Sequence, residues 1–300
     1  MKAYTSIFLV ILSCSVFAQQ DPLHSLYMLN PVLLNPAYSG INNNMQGQVG
    51  YRTQWTGFEG QPQTLNATIH SSFVANKVGA GISVMNDRIG NVVNTEVNAS
   101  FSYKLELGET TFSFGMQAGL QNFRTDNLKL NLSQGDDYAF TDDERGSRFN
   151  IGAGAILKSD QFFLGLSIPR LLPTTFKTIE GEFELYNRHF YMMAGYLYQV
   201  NEHIRLKPTL LLRGVKGSPA SVDFAFNVNI NEVHTAGLFT RNLGTYGILL
   251  QTVLQEKYRF GYAFEMPSNK SVGANFSTHE ISIGFALPVF RFHKYSPVIF

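Results

Sequence analysis

Apolar and polar residues alternate with a period of two through most of this chain. From Val93 to Glu106 the alternation is unbroken: Val93, Val97, Phe101, Tyr103 and Leu105 fall on one face, and Asn94, Glu96, Asn98, Ser102 and Lys104 on the other. Successive side chains of a strand point to opposite faces, so this run is a strand with one apolar and one polar side. Strands of soluble sheets average about five or six residues. A tilted strand that crosses a bilayer needs about 9 to 11, and this run is long enough to cross and to overhang. Fourteen such segments can be read, at roughly 46–55, 63–73, 78–86, 92–106, 110–123, 148–158 and 162–168, then 188–200, 204–214, 221–231, 234–241, 246–253, 257–265 and 278–290.

The connections alternate as well. Residues 56–62 precede the shorter 74–77, 124–147 precede 159–161, and 169–187 precede 201–203. Long loops on one side and tight turns on the other mark a membrane barrel, with the turns in the periplasm. A closed barrel also satisfies every backbone group in lipid without a helix. The pattern therefore predicts an all-β chain, a transmembrane antiparallel β-barrel of about 14 strands in the outer membrane, with both ends in the periplasm.

Composition narrows the classes. Charged residues are only 15% and aromatics 13%, while the mean hydropathy of -0.05 is too low for a bundle of lipid-spanning helices. A net charge of +1 leaves no field to hold nucleic acid, so no nucleic-acid partner is expected. Lys2, the apolar run Ile7 to Leu12 and the small residue Ala18 read as a signal peptide over 1–18. The only cysteine, Cys14, falls inside it, so the exported chain has no disulfide with which to brace its fold. The remainder divides into an Asn-Pro-rich segment at 19–44, a barrel at 45–290 and a periplasmic tail at 291–300.

The segment 19–44 does not alternate. It begins near Asp21 and Pro22 and contains Tyr27, Asn30-Pro31, Asn35-Pro36, Tyr38 and Gly40, a composition that favours turns and extended stretches over helix. A second block follows, Tyr51-Arg52-Thr53-Gln54-Trp55-Thr56-Gly57-Phe58 and then Gly60-Gln61-Pro62. The two blocks resemble the PorP/SprF family of type IX secretion system membrane proteins of Bacteroidetes, whose patterns are NPxxxNPAYxG and YRxQWxGFxGxP. Ser39 stands where that family commonly has Ala. The resemblance implies an outer-membrane component of type IX secretion that supports export or surface attachment of a partner adhesin, often with gliding motility. It implies as partners a secreted adhesin with a type IX C-terminal signal domain, other type IX secretion components and outer-membrane lipid. A diffusion porin or solute channel is the alternative.

A barrel of about fourteen strands is too wide for its wall side chains to fill. The Asn-Pro block is thus a candidate plug at the periplasmic mouth or in the lumen, with Arg52 and Gln54 facing inward, opposite in phase to Tyr51 and Trp55. A purely stabilising role for the block stays open beside it. Candidate chemistry is thin. His279-Glu280 and Glu232/His234 lack a second ligand at helical spacing, and the acidic run Asp136, Asp137, Asp142, Asp143 and Glu144 lacks the order of a calcium loop. With no nucleophile elbow, P-loop or CxxC, the sequence predicts neither an enzyme nor a cofactor. Trp55, Phe58, Tyr103, Tyr196, Tyr198 and Tyr258 suit the interfacial girdles, and Tyr138, Phe140, Phe176, Phe183 and Tyr186 suit a partner surface in the outer loops.

Overall fold

The computed structural model describes residues 24–126, 145–178, 181–215, 218–268 and 276–293. The expected signal peptide, Asp21, Pro22, the acidic run with Tyr138 and Phe140, and the tail beyond His293 lie outside the described residues.

Strands make up nearly all of the structure. The first seven are β1 (Met45–Thr53), β2 (Gln63–Phe73), β3 (Val78–Ile89), β4 (Val92–Leu107), β5 (Thr110–Thr125), β6 (Arg145–Lys158) and β7 (Phe162–Ile168). An outer ribbon follows, β8 (Thr174–Thr178) paired with β9 (Gly181–Tyr186). The wall resumes with β10 (His189–Tyr196) and its two-residue continuation β11 (Tyr198–Gln199), then β12 (Ile204–Val215), β13 (Ser221–Ile230) and β14 (His234–Arg241). It ends with β15 (Thr245–Leu254), β16 (Tyr258–Pro267) and β17 (Thr278–Leu287). Each wall strand pairs antiparallel with its neighbours, β7 pairs with β10 past the ribbon, β10 pairs with β12 past the continuation, and β1 closes on β17 from Met45↔Leu287 to Thr53↔His279. Setting aside the ribbon and the continuation leaves a closed barrel of fourteen strands.

The wall's polarity is the inverse of a soluble protein's. Phe101, Phe114, Met116, Phe224, Ile281 and Ile283 are exposed on the outside, while Asn94, Glu96, Ser102, Gln117, Asp223 and Asn227 are buried inside. An apolar band running round the whole molecule is far larger than the patches soluble monomers expose, and it calls for lipid.

Three details depart from the reading of the sequence. The strand expected at 78–86 runs on to Ile89, so its connection to β4 shrinks to a tight turn. The segment 169–187 is not loop throughout but contains the β8–β9 ribbon, whose strands are too short to cross a membrane. The last strand stops at Leu287 rather than 290, because Pro288 has no N–H to continue the ladder. The chain then turns beneath the rim, where His293 Nε2 lies 2.9 Å from the Ser72 carbonyl and Asn76 Nδ2 donates to the Phe292 carbonyl at 2.7 Å.

Candidate functional site

Residues 24–44 lie in the lumen. Their conformation is neither extended nor α-helical but three single 3-10 turns, Tyr27–Leu29, Pro31–Leu33 and Pro36–Tyr38. Proline suits the first position of such a turn, where its missing N–H is not needed. Asn35 caps the third turn, its Oδ1 accepting the Ala37 N–H at 3.0 Å.

The segment descends from the long-loop half of the barrel to the short-turn rim, and polar lumen residues hold it at each level. High in the lumen the Ser25 N–H donates to Glu280 Oε2 at 2.6 Å, and Ser25 Oγ bonds Glu265. Lower down, Asn30 Oδ1 accepts from Thr68 at 3.0 Å, and Asn35 Nδ2 donates to the Ala155 and Leu166 carbonyls at 3.1 Å each. The carbonyls of Leu34, Ala37 and Ser39 accept from Ser167, Ser113 and Ser102 at 2.6, 2.7 and 2.7 Å. At the short-turn rim Lys104 Nζ donates to the Gly40 carbonyl at 2.7 Å, and Lys158 bonds Asn42. Gly40 needs its lack of a side chain, since its φ is +66° and a Cβ would stand 2.6 Å from the Ser71 carbonyl oxygen. Gly115 of β5 lets the segment lie on the wall, because a Cβ there would meet the Ala37 nitrogen at 2.4 Å.

Apolar contacts complete the docking. Val32, Leu34, Tyr38 and Ile41 pack with Ile156, Phe163, Tyr191, Met193 and Leu211, while Leu26 joins Phe239, Leu249 and Ala263. Burial pushes the Tyr38 phenol up to about 12, opposed by a hydrogen bond from Asn42 Nδ2 at 2.9 Å, and burial raises the Tyr27 phenol as well.

Above the turns sits a buried ion network. Arg52 Nη1 lies 2.5 Å from Glu265 Oε1 and 3.5 Å from Glu280 Oε2, and it donates to Ser25 Oγ at 3.1 Å. Arg241 extends the network to Asp223 at 2.8 Å and Glu265 at 3.4 Å. A second pair, Arg170 with Glu96 at 2.5 Å, fixes the stretch after β7, which folds inward over β6. Below the turns, a cavity of about 530 Å³ lies beneath Met28 and Leu29 and is lined at its rim by residues of the short turns, among them Glu202, Glu232 and Glu256.

The structure thus places the motif residues in two groups. Tyr27, Asn30, Pro31, Asn35, Pro36, Tyr38 and Gly40 are buried in the lumen, and Arg52 is buried against Ser25 from β1. Gln54, Trp55, Gly57, Phe58 and Pro62 form the β1–β2 loop at the opposite rim, where Phe58 packs edge-on to Trp55 and Phe276 and the Gln54 N–H bonds the Pro62 carbonyl. Gln54 is therefore a rim residue. Tyr51 points outward, opposite in phase to Arg52. His279 and Glu280 cannot share a metal ion, since alternation sends Glu280 into the lumen and His279 to Tyr262 on the outer wall. The wall residues that hold the turns carry no motif of their own. A signal for them exists in the sequence: Ile156, Phe163, Met193, Leu211 and Phe239 are apolar residues on the polar phase of their strands.

A closed barrel with an apolar outer band and an occupied, polar lumen is an outer-membrane protein. The chain belongs to the PorP/SprF family: the family model described as "Type IX secretion system membrane protein PorP/SprF" matches residues 16–285. It is a membrane component of type IX secretion. No curated protein matches the sequence. Among solved structures, the Acinetobacter baumannii outer membrane protein Omp33 is 9% identical with a TM-score of 0.49, covering 83% of this chain and 100% of its own. The P. putida toluene transporter TodX is 8% identical, also at 0.49, covering 85% and 92%. Outer membrane phospholipase A from Escherichia coli is 6% identical at 0.38, covering 81% and 93%. These are likenesses of barrel form, and what those proteins conduct or cleave says nothing of this chain.

Proposed function

We propose that this barrel is a non-enzymatic receptor and anchor of the type IX apparatus, which binds the C-terminal signal domain of a secreted adhesin and supports its export or attachment at the cell surface. The observation that carries this reading is the occupied lumen. A diffusion porin works through an open, water-filled bore, whereas here one segment is bound along the lumen by hydrogen bonds to β2, β4–β7 and β17. A rigid filled barrel suits a docking role, and the long-loop rim with the Trp55–Phe58–Phe276 aromatic cluster is the surface offered to cargo.

The test is deletion of the gene, followed by complementation with the wild type or with a chain in which residues 30–36 are replaced by Gly and Ser. Surface display of one adhesin should be lost on deletion while other secreted proteins still leave the cell. The replaced chain should insert, because no wall strand is altered, yet fail to restore display. Normal display together with faster small-solute uptake would instead establish a porin whose bore the segment merely narrows.

A further inference from the structure

The cavity beneath the turns contains a buried cation with no counter-ion among the described residues. The lumen face of β16 carries Arg259, which is only 8% exposed and lines the cavity. Three other buried arginines of the lumen are matched with carboxylates: Arg52 with Glu265, Arg170 with Glu96, and Arg241 with Asp223. Arg259 makes no ion pair among the described residues. Its Nη2 reaches only the Gln46 amide oxygen at 3.5 Å and the Phe285 carbonyl at 3.4 Å, and its Nε has no partner. A buried guanidinium left this way is costly, and a ligand anion would relieve it.

The surroundings specify that ligand. The roof is apolar, formed by Met28, Leu29 and Leu249, so the body of the ligand is apolar. The lining sets Glu202, Glu232 and Glu256 against Lys207, Lys257 and Arg259, so its charges balance, and a single carboxylate leaves less uncompensated charge there than a dianion such as phosphate. A planar carboxylate also matches the guanidinium fork. Residues of the short turns, Glu202, His203, Glu232 and Glu256 among them, line its mouth, so the ligand comes from the periplasmic side and not from lipid. Its volume of about 530 Å³ falls within the range of small-ligand sites, about 300 to 1,000 Å³, and has room for a few peptide residues.

We infer that this cavity is a periplasmic receptor site for an apolar peptide segment whose carboxylate pairs with Arg259. The site does not depend on the adhesin reading, because it lies at the opposite end of the barrel from the loops assigned to cargo. It gives the barrel a second contact, with a periplasmic protein that presents such a segment.

The experiment uses the full chain in detergent micelles and a fluorescein-labelled peptide, Ala-Ala-Val-Phe, as the free acid and as the C-terminal amide. The acid should bind saturably, and the amide about tenfold more weakly or worse, as loss of a charge-assisted contact requires. Arg259→Gln should bring the acid down to the level of the amide and leave the amide unchanged. Val253→Trp, which fills the cavity while Arg259 is retained, should abolish both, with heat-modifiable gel migration reporting that each variant folds. Equal binding of acid and amide by the wild type, or acid binding untouched by Arg259→Gln, would overturn the inference. So would binding seen only after removal of residues 294–300, which would assign the cavity to the chain's own tail.

Discussion

Replacing Arg52 by Met removes a residue that joins the wall to the upper end of the lumen segment. The side chain is buried, and it makes a 2.5 Å ion pair with Glu265, a 3.5 Å contact with Glu280 and a 3.1 Å hydrogen bond to Ser25. Removing one partner of a buried pair costs about 3 to 5 kcal/mol, chiefly because the other charge is left in a medium that solvates it poorly. Here the abandoned carboxylates keep some support. Glu265 retains Arg241 at 3.4 Å and Glu280 retains the Ser25 N–H at 2.6 Å, so the lower figure, about 3 kcal/mol, is expected. Arg124→Met is the control. It removes a 2.9 Å pair with Asp126 in which the arginine is 45% exposed, and it should cost less than about 1 kcal/mol. The assay is guanidinium unfolding of the barrel in detergent, followed by heat-modifiable migration, with hydrogen exchange across residues 24–30 as the local readout. Arg52→Met should lower the midpoint and speed exchange at Ser25 and Leu26, and adding Glu265→Gln should restore part of the loss by removing the stranded charge. If Arg52→Met and Arg124→Met shifted the midpoint equally, the network would not be what holds the upper end of the segment.

Two further outcomes follow from the same geometry. Tyr38 is pushed up to about 12 from an ordinary value of 10.0, so the folded chain holds the phenolic proton longer than the unfolded one. Its stabilisation is full below pH 10 and is lost as pH rises towards 12, at up to about 1.4 kcal/mol per pH unit. Tyr38→Phe should flatten that decline by about one group's share, leaving a slope from Tyr27, and an unchanged slope would show that the Tyr38 phenol is not buried. For topology, the exported chain is expected to have no cysteine once Cys14 is removed, so single replacements report cleanly. Glu59→Cys in the β1–β2 loop should react with an impermeant maleimide on intact cells, and Glu109→Cys in the β4–β5 turn should react only after the outer membrane is opened; the reverse pattern would invert the barrel.

Much of this protein was legible in its sequence because a membrane strand is a local object. The two faces of β4 and β5 meet different solvents at each successive residue, so Val97 against Glu96 and Met116 against Gln117 write the fold directly as alternation. Strand number and the long and short sides follow from counting. Proline sets strand ends less visibly: Pro288 stops β17, although Val289 and Phe290 keep the alternation going. The Asn-Pro segment was visible as an exception to the pattern, and its two motif blocks identified the family, yet nothing local tells where such a segment lies. Its position depends on contacts between residues far apart in the chain, as when Ser25 meets Glu280 and Asn35 meets Leu166. Closure of the barrel decides those meetings, by bringing β1 against β17 and fixing which inward residues share a level. The same closure gathers Arg52, Glu265 and Arg241 into one network and leaves Arg259 without a carboxylate among the described residues, although all four occupy equivalent inward positions on their strands. Alternation determines that a charged residue faces inward, but only the closed wall and the segment inside it decide which charge it meets.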